Sequence, residues 1–167
     1  MKNKLPFLFI LALILTGLVI NSCKKEQHGT VETLFSSGAW QLASVQYKIS
    51  VGDTVKLDTL LNTTCDSTQI LTFKSDHTCT YTNFNCLPQP KASGQWSLTD
   101  NQLFLRSDMV CKDTTATGSS KPFANAQIIN VGQYSLVLLT GDIQNYTSTT
   151  RRTVIRYGFV RQKAAVQ

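Results

Sequence analysis

Residues 67–84 read STQILTFKSDHTCTYTNF, and the fold turns on how this stretch pairs. In 67–74 Leu71 and Phe73 share one face of an extended segment. Ser75-Asp76 is a turn signal, and 77–84 is rich in the β-branched and aromatic residues that suit a returning strand. With Ser75-Asp76 as a two-residue turn, partner numbers across the hairpin add to 151. Phe73 then faces Thr78, Leu71 faces Thr80, and Cys65 lies opposite Cys86. Directly opposed residues have Cβ atoms about 4.5–5.5 Å apart, close to what a disulfide needs. In that register Cys79 lies beside Thr72 on the opposite face. It pairs with Cys111 if the long segment around Cys111 reaches it. A one-residue slip would break the register and favour Cys79–Cys86 instead.

The rest of the chain repeats this pattern of short strands and turns. Residues 40–47 (WQLASVQY) are β-formers, with Trp40 and Leu42 facing one way and Val45 and Tyr47 the other. That switch of parity predicts a bulge or twist. Residues 48–61 suggest a hairpin about Gly52-Asp53. Strands are expected at 93–98, 102–107, 123–131, 134–140 and 149–161. Trp96 shares a face with Leu98, and Leu103 with Leu105, while Tyr157 and Phe159 follow Ile155 on one face of the last strand. Residues 108–122 (DMVCKDTTATGSSKP) read as a long Ser/Thr/Gly loop, the kind that is functional or flexible. No stretch after the first 22 residues keeps a helical period over three turns. The expected architecture is all-β: an up-and-down antiparallel barrel of about eight strands, closed so that no edge is left bare.

The N-terminus carries an address. Lys2 and Lys4 precede an apolar run from Leu5 to Ile20, too short for the roughly 20 residues of a spanning helix. The pattern is that of a secretory signal. Ile20-Asn21-Ser22-Cys23 resembles the lipobox of bacterial lipoproteins, which implies a signal peptide over 1–22 and acylation of Cys23. The alternative is an ordinary secretory signal with a chance cysteine. Residues 23–36 then read as a polar tether and 37–167 as the folded domain. Of the formal +6 charge, about +4 remains after residue 22, too little to argue for nucleic acid. Four cysteines remain beyond Cys23. Outside the cytoplasm an even number favours disulfides, and the absence of close Cys or Cys/His spacing disfavours a metal.

A wider resemblance joins these parts. Gly38-Ala39-Trp40 is similar to the G-x-W of lipocalins, in which the Trp closes the barrel floor. W-x-L-x-S at 40–44, Cys65-Asp66 before Ile70-Leu71-Thr72-Phe73, Asp76, Cys86 and Gly94-Gln95-Trp96-Ser97-Leu98 follow in order. This order resembles the lipocalin-like domain lipoproteins of the Bacteroidetes type. The resemblance implies a lipid-anchored envelope protein, a Cys65–Cys86 bridge and a late Arg over the floor Trp, for which Arg161 has the right parity. Lys24 after Cys23 implies the outer membrane. The T-D-Y segment of true lipocalins is absent, and Ser75-Asp76-His77 replaces their D-G turn.

Catalysis finds no support in the chain. His28 lies in the tether, His77 at a turn, and the aspartates fall mostly at turns. No nucleophile elbow or P-loop is present, and no cofactor is implied. Arg151-Arg152 reads as a solvated hairpin flank. The inward aromatics Trp40, Phe73, Trp96, Tyr157 and Phe159 are the remaining candidates. They are either a solid barrel core or the walls of a site for a small hydrophobic molecule. Two functions follow: a lipid-anchored binder of such a molecule, or a solid interaction module whose loops 50–66 and 108–122 hold an envelope protein or glycan. The membrane, through acylated Cys23, is a partner in both, and the domain is expected to be monomeric.

Overall fold

The computed structural model describes residues 31–61, 63–144 and 147–162. The signal segment, Cys23, Lys24 and His28 lie outside the described residues. The strands are β1 (Ala39–Val51), β2 (Thr54–Leu61), β3 (Ile70–Phe73), β4 (Thr78–Thr82), β5 (Ala92–Leu98), β6 (Phe104–Ser107), β7 (Cys111–Lys112), β8 (Ser119–Ser120), β9 (Ala126–Val131), β10 (Ser135–Gly141) and β11 (Arg151–Arg161). The order β11-β10-β9-β6-β5-β4-β3-β1 closes by pairing of β11 with β1. This is a closed antiparallel barrel of eight strands, with neighbours in space following neighbours in sequence. Strand β2 pairs with β1 alone and stands outside the ring, and β7–β8 form a separate small hairpin.

The parity switch in β1 is a bulge that skips Ala43. Leu42 pairs with Phe159 and Ser44 with Gly158. The extra residue lets Trp40 and Leu42 before it, and Val45 and Ile49 after it, all face inward. Gly158 leaves room opposite the bulge for the Ser44 hydroxyl, which would lie 2.5 Å from a Cβ there and would have to turn away from it.

The β3–β4 register differs from the expected one by a residue. Phe73 lies opposite Cys79 and Leu71 opposite Tyr81. His77 takes a left-handed conformation (φ 61°), so the turn uses Ser75, Asp76 and His77. Lys74 N donates to Thr78 O at 2.9 Å, and Asp76 Oδ1 accepts from both the Thr78 amide and hydroxyl. This slip turns Cys79 and Tyr81 into the barrel, where both are fully buried.

The Cys65–Cys86 bridge forms all the same. The ladder does not create it. Beyond β4 the chain leaves the sheet through Asn83 (φ 56°) and a 3-10 turn at Phe84–Cys86, which swings Cys86 back to Cys65 with Cα atoms 5.3 Å apart. The Cys79–Cys111 pairing is corrected: both are free, buried thiols. Cys79 points inward from β4, its Sγ 3.2 Å from Ser107 Oγ, while Cys111 enters the core separately on β7.

Two segments expected to be outside the core belong to it. Residues 31–36 are helical rather than tether, and Phe35 is fully buried. Residues 108–122 fold inward, with Met109, Cys111 and Asp113 buried at alternate positions. Asp113 Oδ1 accepts from the Thr115 amide and hydroxyl and holds the turn of the small hairpin. Leu103 does not share the face of Leu105. It precedes β6, after Gln102 in a left-handed conformation, and is half exposed.

Candidate functional site

The five predicted inward aromatics all reach the interior: Trp40, Phe73, Trp96, Tyr157 and Phe159 are at most 5% exposed and belong to one cluster. They divide between the two ends of the barrel.

At the floor, Phe35 packs against both Phe73 and Trp96, with ring centroids 5.0 Å and 5.7 Å away, and those two rings also meet at 5.2 Å. Trp40 Nε1 donates to Phe35 O at 3.0 Å, so the indole fixes the helical segment beneath it. The Arg161 guanidinium lies 4.4 Å from the Trp40 ring centroid. Its Nη2 donates to Leu34 O at 2.8 Å and its Nη1 to Ser37 Oγ. Arg161 thus ties β11, β1 and the helical segment together through a cation–π contact and two hydrogen bonds. Trp96 Nε1 donates to Lys74 O at 3.0 Å, so each buried indole has a partner.

Toward the other end, Tyr81, Phe84, Phe123, Tyr157 and Phe159 pack with centroids 5.2–6.4 Å apart. Leu71, Leu105, Met109, Leu136 and Leu138 fill the space between the two aromatic groups. The long inward residues therefore meet across the barrel, and the interior is occupied by side chains as in the smallest barrels.

The buried thiols and phenols are held neutral, whereas hydrogen bonds from Ser120 and Thr115 lower the Asp113 carboxyl. Burial pushes the Cys111 thiol up to about 12, with Cys79 and Asp113 adding to the effect. Burial likewise raises Cys79, against the lowering effect of its Ser107 hydrogen bond. Burial lifts Tyr157 to about 12 and Tyr81 well above its ordinary range. Reactive cysteines have lowered values and some exposure, so these thiols have the character of core residues. His77 sits at its turn tip 5.3 Å from the Trp96 ring. Among the described residues, no three His, Cys, Asp or Glu side chains converge as metal ligands.

Sequence reasoning missed Phe35, Tyr81, Met109 and Phe123 as core residues. Tyr81 alternates visibly with Cys79, and only the turn length hid its direction. Phe35 had no periodic signal around it. Concave features lie at the barrel mouth, bordered by inward-facing side chains, and on the outer wall. One of about 430 Å³ at the barrel mouth touches Phe84, Asp113, Thr140 and Tyr157. Another of about 410 Å³ lies on the outer face of β1, β10 and β11. Compared with known proteins, the chain matches no protein-family model and no curated protein, so its functional reading rests on this geometry.

Proposed function

We propose that this chain is a lipid-anchored module of the cell envelope whose barrel is a solid scaffold, recognising an envelope protein or glycan on its outer surface. The carrying observation is the filled interior: Phe35, Trp40, Tyr81, Phe123 and Phe159 occupy the volume that a lipocalin-type ligand would need. A binder of a small hydrophobic molecule would have to displace several of these rings, and exposing each to water would forfeit the hydrophobic stabilisation of its burial. Function on a solid barrel then falls to its loops and outer wall. Cys23, in a lipobox-like context, supports the anchor, and Lys24 supports the outer membrane as its destination.

Native mass spectrometry of the unlipidated domain with palmitate and haem tests the reading. The proposal expects no one-to-one complex with either; a stoichiometric complex would overturn it. Metabolic labelling with a palmitate analogue tests the anchor separately. Cys23→Ala should lose the label, and equal labelling would contradict acylation at that residue.

A further inference from the structure

The outer face of β1 and β11 carries a feature that barrel packing does not require. After the bulge at Ala43, Gln46, Lys48 and Ser50 of β1 lie opposite Arg156, Val154 and Arg152 of β11. These six residues line a trough of about 410 Å³. Its apolar floor is Val154, which is 9% exposed although it lies outside the main core. The β1–β2 hairpin forms one wall, through Val55. The trough is closed at its end where Gly52 packs so tightly on the Ser148 carbonyl that no Cβ would fit. Strand spacing puts Arg152 and Arg156 roughly 13 Å apart, with Lys48 opposite the midpoint.

Three cations therefore converge on one concave surface. The acids nearby offset them only in part. Asp53 lines the turn end. Asp58 lies across from Lys48 on β2, with its Oδ1 taken by Gln46 Nε2 at 2.7 Å. Asp142 accepts from the Thr153 amide through Oδ2, and its backbone carbonyl accepts from Arg152 Nε at 2.6 Å, which orients that guanidinium. Among the described residues no carboxylate pairs with the Lys48 ammonium or the Arg156 guanidinium. Asp53, Asp58 and Asp142 lie near these cations, yet the Lys48 and Arg156 charges are left available to an anion supplied from outside.

We propose that this trough binds an acidic glycan, with Lys48, Arg152 and Arg156 taking its anionic groups and Ser50 its hydroxyls. The inference rests on the scaffold reading above and names its ligand class. The backbone positions of these cations span roughly 13 Å of β11, a length that suits an elongated polyanion. The height of the trough argues against the headgroups of the anchoring bilayer. Six to ten residues of β1 separate the trough, Gln46 to Ser50, from the Trp40 floor, roughly 20–33 Å along the strand, and residues 31–36, the described part of the chain next to Cys23 in sequence, lie at that floor.

Isothermal titration of the domain with trigalacturonate at low and at physiological salt is the test. The proposal expects binding that weakens at the higher salt. Lys48→Gln and Arg156→Gln should each weaken it about tenfold, as expected for losing one charge-assisted contact. Lys91→Gln, an exposed charge away from the trough, should leave it unchanged. Unaltered melting temperatures of the variants exclude misfolding. No binding at low salt, equal binding of neutral maltotriose, or insensitivity to both trough variants would overturn the proposal. So would tighter binding of hexaglutamate, of inorganic phosphate, or of phosphatidylglycerol vesicles, which would reassign the trough to a peptide, a stray ion or a membrane. If trigalacturonate fails while palmitate also fails to bind, the glycan falls and the scaffold stands; palmitate binding removes the scaffold itself.

Discussion

Replacing Phe35 by alanine tests how far the barrel reaches into the N-terminal segment. The ring is fully buried, stacked on Trp96 and edge-on to Phe73. Truncating a buried Phe typically costs about 3–5 kcal/mol, through lost transfer energy and the cavity left behind. An area estimate agrees: about 150–200 Å² of ring at about 25 cal/mol per Å² gives about 4–5 kcal/mol. Each aromatic pair adds about 0.5–1.5 kcal/mol beyond area. The site can collapse little, because Trp40 below is pinned by its bond to Phe35 O and by Arg161. The expected loss is therefore about 4 kcal/mol, a large share of the 5–15 kcal/mol typical of a domain. Urea unfolding followed by tryptophan fluorescence measures it as a fall in midpoint at constant slope. A chain begun at Ser37 should lose at least as much, because it also lacks the Leu34 carbonyl that Arg161 holds. A loss below about 1 kcal/mol in Phe35→Ala would refute the plug and restore these residues to a tether.

Other outcomes follow from the same packing. Trp40→Ala should cost about 3–5 kcal/mol by the same denaturation assay, and a loss near zero would show the floor to be open. Removing the Cys65–Cys86 bridge, which spans a sequence separation of 21, should cost about 3 kcal/mol in the chain-entropy model, read as a lower urea midpoint for the double Ala variant. Gly94→Ala should cost about 1–3 kcal/mol, since its Cβ would lie 2.5 Å from Asp108 Oδ1 and 2.6 Å from Met109 N; an unchanged midpoint would show that this strand yields. Cys111 and Tyr157 keep their protons in the fold up to about pH 12 but lose them near their ordinary values, about 9 and 10, when unfolded. The unfolded state then binds fewer protons, so these two groups leave stability unaffected just below about pH 9 and lower it as pH rises from there toward 12. Stability that rises over that range would contradict the burial of both groups.

Much of the barrel was legible because strand alternation and turn residues are local signals. The parity switch at 40–47 signalled a bulge or twist, and the recurrence of Ile155, Tyr157 and Phe159 at every second position announced the last wall. The resemblance to lipocalins implied a late Arg over Trp40, and parity picked Arg161 rather than Arg156 for that place. What escaped depended on a single dihedral or on distant contacts. His77 at positive φ adds one residue to a turn, and that residue reverses the facing of Cys79 and Tyr81. The Cys65–Cys86 partnership was named from a ladder that does not extend to it; the turn at Phe84–Cys86 makes it instead. Phe35 and the alternating Met109, Cys111 and Asp113 sit in polar, irregular sequence. Their burial is set by the hole the barrel leaves to fill, which no window of neighbouring residues encodes.

The trough was overlooked because it depends on a pairing between strands far apart in sequence. Arg151-Arg152 taken alone is a hairpin flank. Only the pairing of β11 with the post-bulge half of β1 sets Lys48 between Arg152 and Arg156.

Pressurising crystals of the domain with xenon tests the solid interior most directly. Xenon enters dry apolar cavities, including engineered ones of about 150 Å³. The account predicts no xenon atom within the ring bounded by Trp40, Leu71, Tyr81, Leu138 and Phe159, with a site appearing there only after Phe35→Ala. An ordered xenon atom among these side chains in the unaltered protein would contradict it, and would return the barrel to the class of hollow binders.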